Sequence, residues 1–183
     1  MRPLLFLLIG MSTLWSCKGD QPEIRFRMPI QPIEVTFEAG ISTFDSHYYT
    51  FQNVPTRFDS LAASFGVSTA DIQAVRPRTA RILSVFGNVD YDFIRDISVR
   101  ICSQNEADRL QAGEAVECAR EIFWRNPVPE QLGSTLDLIA NENDVKSLLE
   151  QPRAAYQIKL VSPLRYSTTQ FIESRFLMEF NVE

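Results

Sequence analysis

The residues that could carry acid–base or nucleophilic chemistry are few in this chain. It has one histidine, His47, and imidazole is the side chain whose ordinary pKa lies nearest to neutral pH. Asp45 and Ser46 precede it directly, but a catalytic triad needs hydrogen-bonded geometry in space rather than adjacency in sequence. Asp90 and Asp92 could do acid–base work, yet nothing separates them from surface charges. We therefore predict no enzyme and no catalytic residues, and keep a hydrolase that uses His47 with carboxylates as the second alternative.

Three cysteines offer disulfide, metal or redox chemistry. No Cys-x-x-Cys motif is present, and two cysteines with one histidine are too few ligands for a structural zinc site. We expect no metal and no cofactor. In an oxidising compartment Cys102 and Cys118 would form a disulfide that closes the polar loop 103–117, a closure worth about 3 kcal/mol. The alternative is two free, buried cysteines.

Arginine is locally enriched between residues 76 and 100 of an acidic chain, and guanidinium groups suit carboxylate or phosphate ligands. Strand alternation predicts that Arg76 and Arg78 share one face and that Arg81 lies on the other. Further along, Trp124 and Arg125 are residue types enriched at binding hot spots. The candidate binding surface consists of Arg76, Arg78, Trp124 and Arg125. The alternatives are an ion-paired outer face and a tryptophan that caps the core.

Short segments of alternating polarity must position these residues. Apolar side chains with a period of two predict strands at 33–41, 47–54, 79–86, 96–102, 115–124, 154–162 and 171–182. Such strands, separated by polar turns, favour a mainly β fold: an antiparallel β-sandwich of immunoglobulin-like architecture with two to three short helices. A turn or two of helix is expected at 144–150.

A helical insert is predicted at about residues 56–76. Thr56 and Asp59 form a capping-box pattern, and Gly66 is placed to end the first helix. Ser68 repeats the capping signal for a second helix, which Pro77 would stop. The single domain is expected to span 33–183 and to contain this insert.

The amino terminus has the shape of an export signal, with Arg2, a short apolar run at 3–11 and small residues before Cys17. The run is shorter than the 20 or so residues that span a bilayer. Leu14-Trp15-Ser16-Cys17 resembles the signal of bacterial lipoproteins. That resemblance implies removal of the signal peptide 1–16, acylation of Cys17 as a membrane anchor, and a flexible tether at 17–32.

The same resemblance bears on localisation and partners. Lys18-Gly19-Asp20 lacks the aspartate in the second position that retains enteric lipoproteins in the inner membrane, which implies the outer membrane with the leaflet open. Loss of residues 1–16 removes one arginine and no acid, so the net charge of −5 becomes about −6. An acidic chain is a poor match for nucleic acid. The pattern resembles Gram-negative envelope lipoproteins that carry a β-sandwich, which implies an accessory role with an envelope protein partner.

Residues 48–75 carry a second resemblance. Tyr49-Thr50-Phe51, Phe65-Gly66-Val67-Ser68 and Asp71-Ile72 are similar to the strand–helix–helix part of a LysM module, a family that binds N-acetylglucosamine glycans. This implies peptidoglycan or glycan binding as the first alternative function. A helical pair packed on the sandwich explains the same residues without a ligand.

Overall fold

Nine antiparallel strands run through residues 23–87, 89–130 and 133–183, which are the residues that the computed structural model describes. The strands are β1 Phe26–Pro29, β2 Ile33–Phe37, β3 His47–Pro55, β4 Val75–Ser84, β5 Asp96–Ile101, β6 Arg120–Arg125, β7 Thr135–Ala140, β8 Arg153–Val161 and β9 Ile172–Val182. The helices are α1 Phe58–Ser64, α2 Gln104–Gln111 and α3 Lys146–Leu149, with a 3₁₀ turn at Thr69–Asp71. The predicted signal peptide, Cys17 and the tether up to residue 22 lie outside the described residues.

The strands form one curled sheet in the order β1-β9-β4-β7-β6-β5-β8-β3, with β2 also paired to β9. The pairing of Phe123 with Ala140 and of Trp124 with Ile139 joins its two halves through β6 and β7. The sheet is a half-barrel, which is compatible with a sandwich-like arrangement. The predicted mainly β, antiparallel class with short helices is therefore confirmed.

Alternating side chains build the core inside the curl. Along β9, buried residues from Ile172 to Val182 point inward at every second position. Phe123 of β6 lies 6.0 Å from Phe180 of β9 between ring centroids, so the two halves pack on one core. Phe37 of β2 packs edge-on against Tyr49 of β3 at 5.1 Å, which brings the two outermost parts of the sheet together.

The ordered fold begins earlier than the predicted tether allows. Phe26, Met28 and Ile30 are buried, and β1 pairs with the end of β9. These three residues alternate with the period of two that predicts the other strands. The nearby prolines favoured a tether instead, so no strand is predicted there. Proline is tolerated on edge strands, and Pro29 ends β1, so the prolines do not prevent pairing there. The predicted domain start at Ile33 is thus too late.

The helical insert is shorter than the predicted 56–76. Thr56 does not cap α1; its hydroxyl donates to the Gln151 carbonyl oxygen at 2.6 Å. Arg57, in the left-handed region at φ 55°, precedes the helix instead. The second helix reduces to the 3₁₀ turn, and β4 already begins at Val75. Backbone pairing of Gln73 and Ala74 with Glu183 overrides the weak local preference for helix.

Besides β1, two elements are absent from the sequence-based prediction. The first, α2, lies inside the predicted loop 103–117, where Ser103 and Glu106 form a capping box. The second is β7, a short strand whose alternate residues Leu136 and Leu138 are buried. Within the described residues, no helix is long and apolar enough to cross a bilayer.

Because the strands are antiparallel, the connections between them lie at two opposite ends of the half-barrel. One end, here called the loop end, consists of the described residues of 38–46, 85–95, 126–134 and 162–171. The other end carries the three helices and the point near Arg25 where the chain enters β1.

Candidate functional site

Cys102 and Cys118 form a disulfide, with their Cα atoms 4.7 Å apart, as the sequence predicts. The bridge closes the segment that contains α2. Ala107 and Leu110 of that segment pack against Ala155 of β8 together with the buried cysteines. The closed segment is therefore a small platform fixed to the outer face of the sheet rather than a free polar loop.

Glu117, at the end of this platform, lies at the centre of a polar cluster. Its carboxylate accepts hydrogen bonds from Lys159 Nζ and from the Tyr48 hydroxyl, each at 3.0 Å, and lies 3.3 Å from Arg100 Nη1. The hydrogen bond from Lys159 is the main cause that lowers the pKa of Glu117. Burial by itself lowers the pKa of Lys159. The hydrogen bonds with Tyr48 and Glu117 have a larger combined effect, so the pKa of Lys159 is raised. The cluster holds both groups ionised and ties the platform to β8.

Gln157 fixes the base of the same platform. Its amide nitrogen donates to the Val116 carbonyl at 3.0 Å and to Thr50 Oγ1 at 3.3 Å, and its amide oxygen accepts from the Cys118 N–H at 3.2 Å. The side chain is buried, so these bonds satisfy polar atoms that have lost water. The residues around Glu117 and Gln157 are thus structural contacts.

The predicted arginine surface is ion-paired within the chain. Arg76 Nε lies 3.0 Å from Glu183 Oε2, and Arg78 pairs with Glu179 across β4 and β9. The remaining pairs are Arg81–Asp137, Arg95–Asp96 and Arg100–Glu117. A β-bulge between Pro77 and Thr79 shifts the alternation, so Arg81 lies outside the core like Arg76 and Arg78, which corrects the predicted opposite face.

The structure does not bring Trp124 and Arg125 next to these arginines in the sheet. Both lie on β6 and are half-buried, and β7 separates β6 from β4 in the strand order. Trp124 pairs with Ile139 of β7 and with Ser98 of β5. The four residues of the predicted binding surface therefore do not form one contiguous cluster.

His47 begins β3, and its ring hydrogen-bonds to the backbone. The Nε2 atom lies 2.7 Å from the Ser42 carbonyl oxygen, a partner that orients the ring without activating a nucleophile. Among residues 23–87, 89–130 and 133–183, no three histidine, cysteine or acidic side chains are grouped as metal ligands. This geometry gives the hydrolase alternative no specific support.

The loop end exposes large apolar side chains that the sequence did not single out. The exposed fraction is 86% for Phe44, 67% for Phe86 and 60% for Phe171, and Val85 and Tyr166 are also exposed. The sequence-based prediction placed Phe86 and Phe171 at the ends of the strands 79–86 and 171–182. In the structure β4 ends at Ser84 and β9 begins at Ile172, so both residues lie on loops. Their shared feature is that they lie on loops that the sheet brings to one end.

Backbone hydrogen bonds join these loops to one another. The Gly40 N–H donates to the Thr168 carbonyl at 2.8 Å, and the Leu164 N–H donates to the Thr43 carbonyl at 2.9 Å. The Arg165 N–H donates to the Phe93 carbonyl at 2.9 Å, and the Val85 N–H donates to the Glu173 carbonyl of β9 at 2.9 Å. The exposed side chains are therefore carried by loops held in place by hydrogen bonds between them.

Arg165 makes the most extensive of the contacts between loops. Its guanidinium donates to the carbonyls of Asp92 and Ile94, each at 2.8 Å, and to that of Val128. The neighbouring Tyr166 hydroxyl donates to the Asp92 carboxylate. Burial, with the hydrogen bond and charge of Asp92, raises the pKa of Tyr166 to about 12. The loop end is thus preorganised by its own side chains.

A polar cleft of about 390 Å³ lies at the opposite end, between β3, α2 and the segment before β8. Five amide side chains line it: Gln52, Asn53, Gln104, Gln111 and Gln151. Asn53 has a positive φ of 58° where the pairing of β3 with β8 shifts register. Asp108 and Arg153 also line the cleft. An amide both donates and accepts hydrogen bonds, so the lining suits a hydroxyl-rich ligand.

No protein-family model matches the chain, and no curated protein matches it. A search of solved structures finds that of Cocksfoot mottle virus, which is 14% identical in sequence over 100% of this chain and 97% of that chain, with a TM-score of 0.25. A score this low carries no argument about fold or function. The residues and their geometry are therefore the basis for assigning a role.

Proposed function

We propose that this protein is a membrane-anchored lipoprotein of the bacterial envelope and acts as a non-catalytic binding or structural accessory of an outer-membrane assembly. The observation that carries the proposal is the loop end, where Phe44, Phe86 and Phe171 are exposed on hydrogen-bonded loops. Exposed apolar groups on a rigid scaffold are typical of interaction surfaces. The polar clusters around Glu117 and Arg76, in contrast, are satisfied by the chain itself.

The position of the chain entry supports an anchor at Cys17. The Arg25 N–H donates to the Val182 carbonyl at 2.8 Å, which fixes the start of the fold at the end opposite the loop end. Cys17 precedes Phe26 by nine positions, a span that reaches at most about 30 Å when extended. Acyl chains on Cys17 would hold the half-barrel near a membrane and leave the loop end free to face a partner.

The anchor is tested by expressing the full-length protein with the Cys17→Ala substitution in a Gram-negative host and fractionating the cells. We expect wild type in the membrane fraction with an intact mass that includes acyl chains, and the variant in the soluble fraction. The double variant Cys102→Ser/Cys118→Ser is the control and should stay with the membrane. A soluble, unmodified wild-type protein would contradict the proposal.

The accessory role is tested by a mild-detergent pull-down of the tagged protein from its native membranes. One abundant, stoichiometric protein partner supports the role. Retention on the cell wall without such a partner favours the alternative below.

A glycan-binding lipoprotein is the second candidate, because the amide-lined cleft overlaps the LysM-like segment 48–75 at Gln52 and Asn53. The test measures retention of the purified protein on isolated peptidoglycan. We expect Gln52→Ala/Asn53→Ala to abolish retention if the cleft binds glycan, and the control Gln170→Ala at the loop end to preserve it. Wild-type protein that does not co-sediment with peptidoglycan rules this candidate out.

A further inference from the structure

We propose that the loop end docks a protein partner whose contact surface has an apolar centre and a rim of lysine and arginine. The proposal rests on the accessory function above, and it adds which surface of this chain makes the contact and what chemistry the partner presents.

The apolar centre follows from the three exposed phenylalanines. Phe44, Phe86 and Phe171 come from three different connections, β2–β3, β4–β5 and β8–β9, which the antiparallel order places at the same end of the half-barrel. Aromatic side chains bury a large area with few rotatable bonds and dominate many interfaces. Because hydrogen bonds already order these loops, little conformational entropy is lost when a partner covers them.

The charge around the phenylalanines specifies the rim of the partner. The loop-end ranges contain five carboxylates and two arginines. The five carboxylates belong to Glu38, Asp45, Asp90, Asp92 and Glu130. Both arginines are already engaged, Arg95 with Asp96 and Arg165 with backbone carbonyls. The surface is therefore anionic, and a complementary partner presents cations around its apolar pocket.

The same charge argues against two other occupants. A second copy would bring an identical anionic surface to the contact, and like charges at a desolvated interface are unfavourable. A bilayer with anionic headgroups repels a surface of the same sign.

The orientation of the fold agrees with a partner that approaches from the side away from the anchor. The loop end and the chain entry at Arg25 lie at opposite ends of β9, an 11-residue strand that extends about 35 Å. A protein held at the entry end presents the phenylalanines outward.

Site-specific photo-crosslinking in native membranes tests the contact. A benzophenone amino acid replaces Phe44 or Phe171 in the full-length protein, and Ile24, which is 51% exposed near the chain entry, is the control position. We expect one protein other than this chain to crosslink from positions 44 and 171 but not from 24. The crosslinked peptide should contain apolar residues beside lysine or arginine. Crosslinks to this chain or to lipid, or to a partner peptide without cations, overturn the proposal.

Affinity measurements with the co-purified partner give the second test. Phe44→Ser/Phe171→Ser should weaken binding at least about 30-fold, whereas Ile24→Ser should change it less than about threefold. Asp45→Asn should weaken binding by a smaller factor and reduce its dependence on salt, since it removes one anionic group from the rim. Circular dichroism confirms that the variants keep the β fold. Wild-type affinity of the double phenylalanine variant overturns the docking proposal while leaving the accessory role intact.

Vesicles of phosphatidylethanolamine and phosphatidylglycerol separate a lipid surface from a protein surface. The Cys17→Ala protein, which lacks the proposed anchor, should not sediment with them. Sedimentation that Phe44→Ser/Phe171→Ser abolishes would make the loop end a lipid-binding surface and overturn the proposal. If wild-type protein recovers no partner from its membranes, both the accessory role and the docking proposal fail.

Discussion

The Glu117 carboxylate accepts hydrogen bonds from Lys159 Nζ at 3.0 and 3.1 Å, across a sequence separation of 42 residues. The disulfide closes the platform, and this contact joins that platform to β8. Lys159 also lies 5.2 Å from the centroid of the Tyr48 ring on the neighbouring strand β3. The pair therefore links three parts of the chain on one outer face of the half-barrel.

Glu117→Gln should destabilise the protein modestly and in a pH-dependent way. The Glu117 side chain is 39% exposed, so solvent screening limits the loss in the free energy of unfolding to about 1 kcal/mol or less. Because folding lowers the pKa of Glu117, its contribution is present above the pKa of the unfolded chain and disappears as the pH falls through the folded value.

Urea unfolding at several pH values measures this difference between wild type and Glu117→Gln. The curves should differ at neutral pH and converge in acid. Glu173→Gln, at an exposed position of β9, is the control and should show no comparable difference. A difference that grows in acid would contradict the assigned role of the carboxylate.

Removing the disulfide should loosen the platform and lower stability. For a sequence separation of 16 residues, the chain-entropy estimate of the loss is about 3 kcal/mol. The double variant Cys102→Ser/Cys118→Ser should also be cut sooner by protease within 103–117, and a thiol count on denatured, unreduced wild type should find neither Cys102 nor Cys118 free. Unchanged stability and proteolysis in the variant would show that the packing of α2 suffices by itself.

Arg165→Met should destabilise the loop end, because it removes donors from the carbonyls of Asp92, Ile94 and Val128. Leaving such acceptors without partners costs about 1–3 kcal/mol in total, depending on how far water replaces the lost bonds. Arg165→Lys should recover only part of the loss, since an ammonium group cannot reproduce the planar fork. Thermal unfolding and amide hydrogen exchange of 89–95 measure the effect. Exposed Arg153 is the control, and its substitution by Met should change stability by less than about 0.5 kcal/mol.

Exchanging the charges of Arg78 and Glu179 tests whether the arginine surface is structural. Arg78→Glu alone places like charges on paired strands and should cost about 1 kcal/mol. The double variant Arg78→Glu/Glu179→Arg should regain most of this loss and bind the co-purified partner as wild type does. Loss of partner binding in the stable double variant would restore Arg78 to the binding surface.

Local pattern accounts for much of the sheet. The alternation in β2 and β9 is strong because each strand buries one set of alternate residues. In β5 the residue types alternate although both faces are largely buried. The sequence predicts all three strands within a few residues. The same signal was present in Phe26, Met28 and Ile30, but proline suggested a tether. The capping box of Ser103 and Glu106 also marked α2, although the polar composition of 103–117 suggested a loop.

The candidate site was much less predictable. Arg76 and Arg78 were selected by residue type, but their carboxylate partners lie 107 and 101 positions away in sequence. The side of the sheet on which Arg81 lies depends on a bulge in β4, which the pairing of β4 with β9 introduces. Phe86 and Phe171 were assigned to the ends of predicted strands, and only the observed strand bounds and strand order place them, with Phe44, on loops at one end.

The sequence by itself determined the antiparallel β class, and it favoured a disulfide between Cys102 and Cys118 and predicted a lipid anchor at Cys17. These depend on local alternation, on a limited set of cysteines and on a short contiguous segment. The tertiary structure decided which arginines are neutralised, where the fold begins, and that three exposed phenylalanines share one end. Those properties arise from contacts between residues far apart in the chain, and the geometry of such contacts exists only once the sheet has curled.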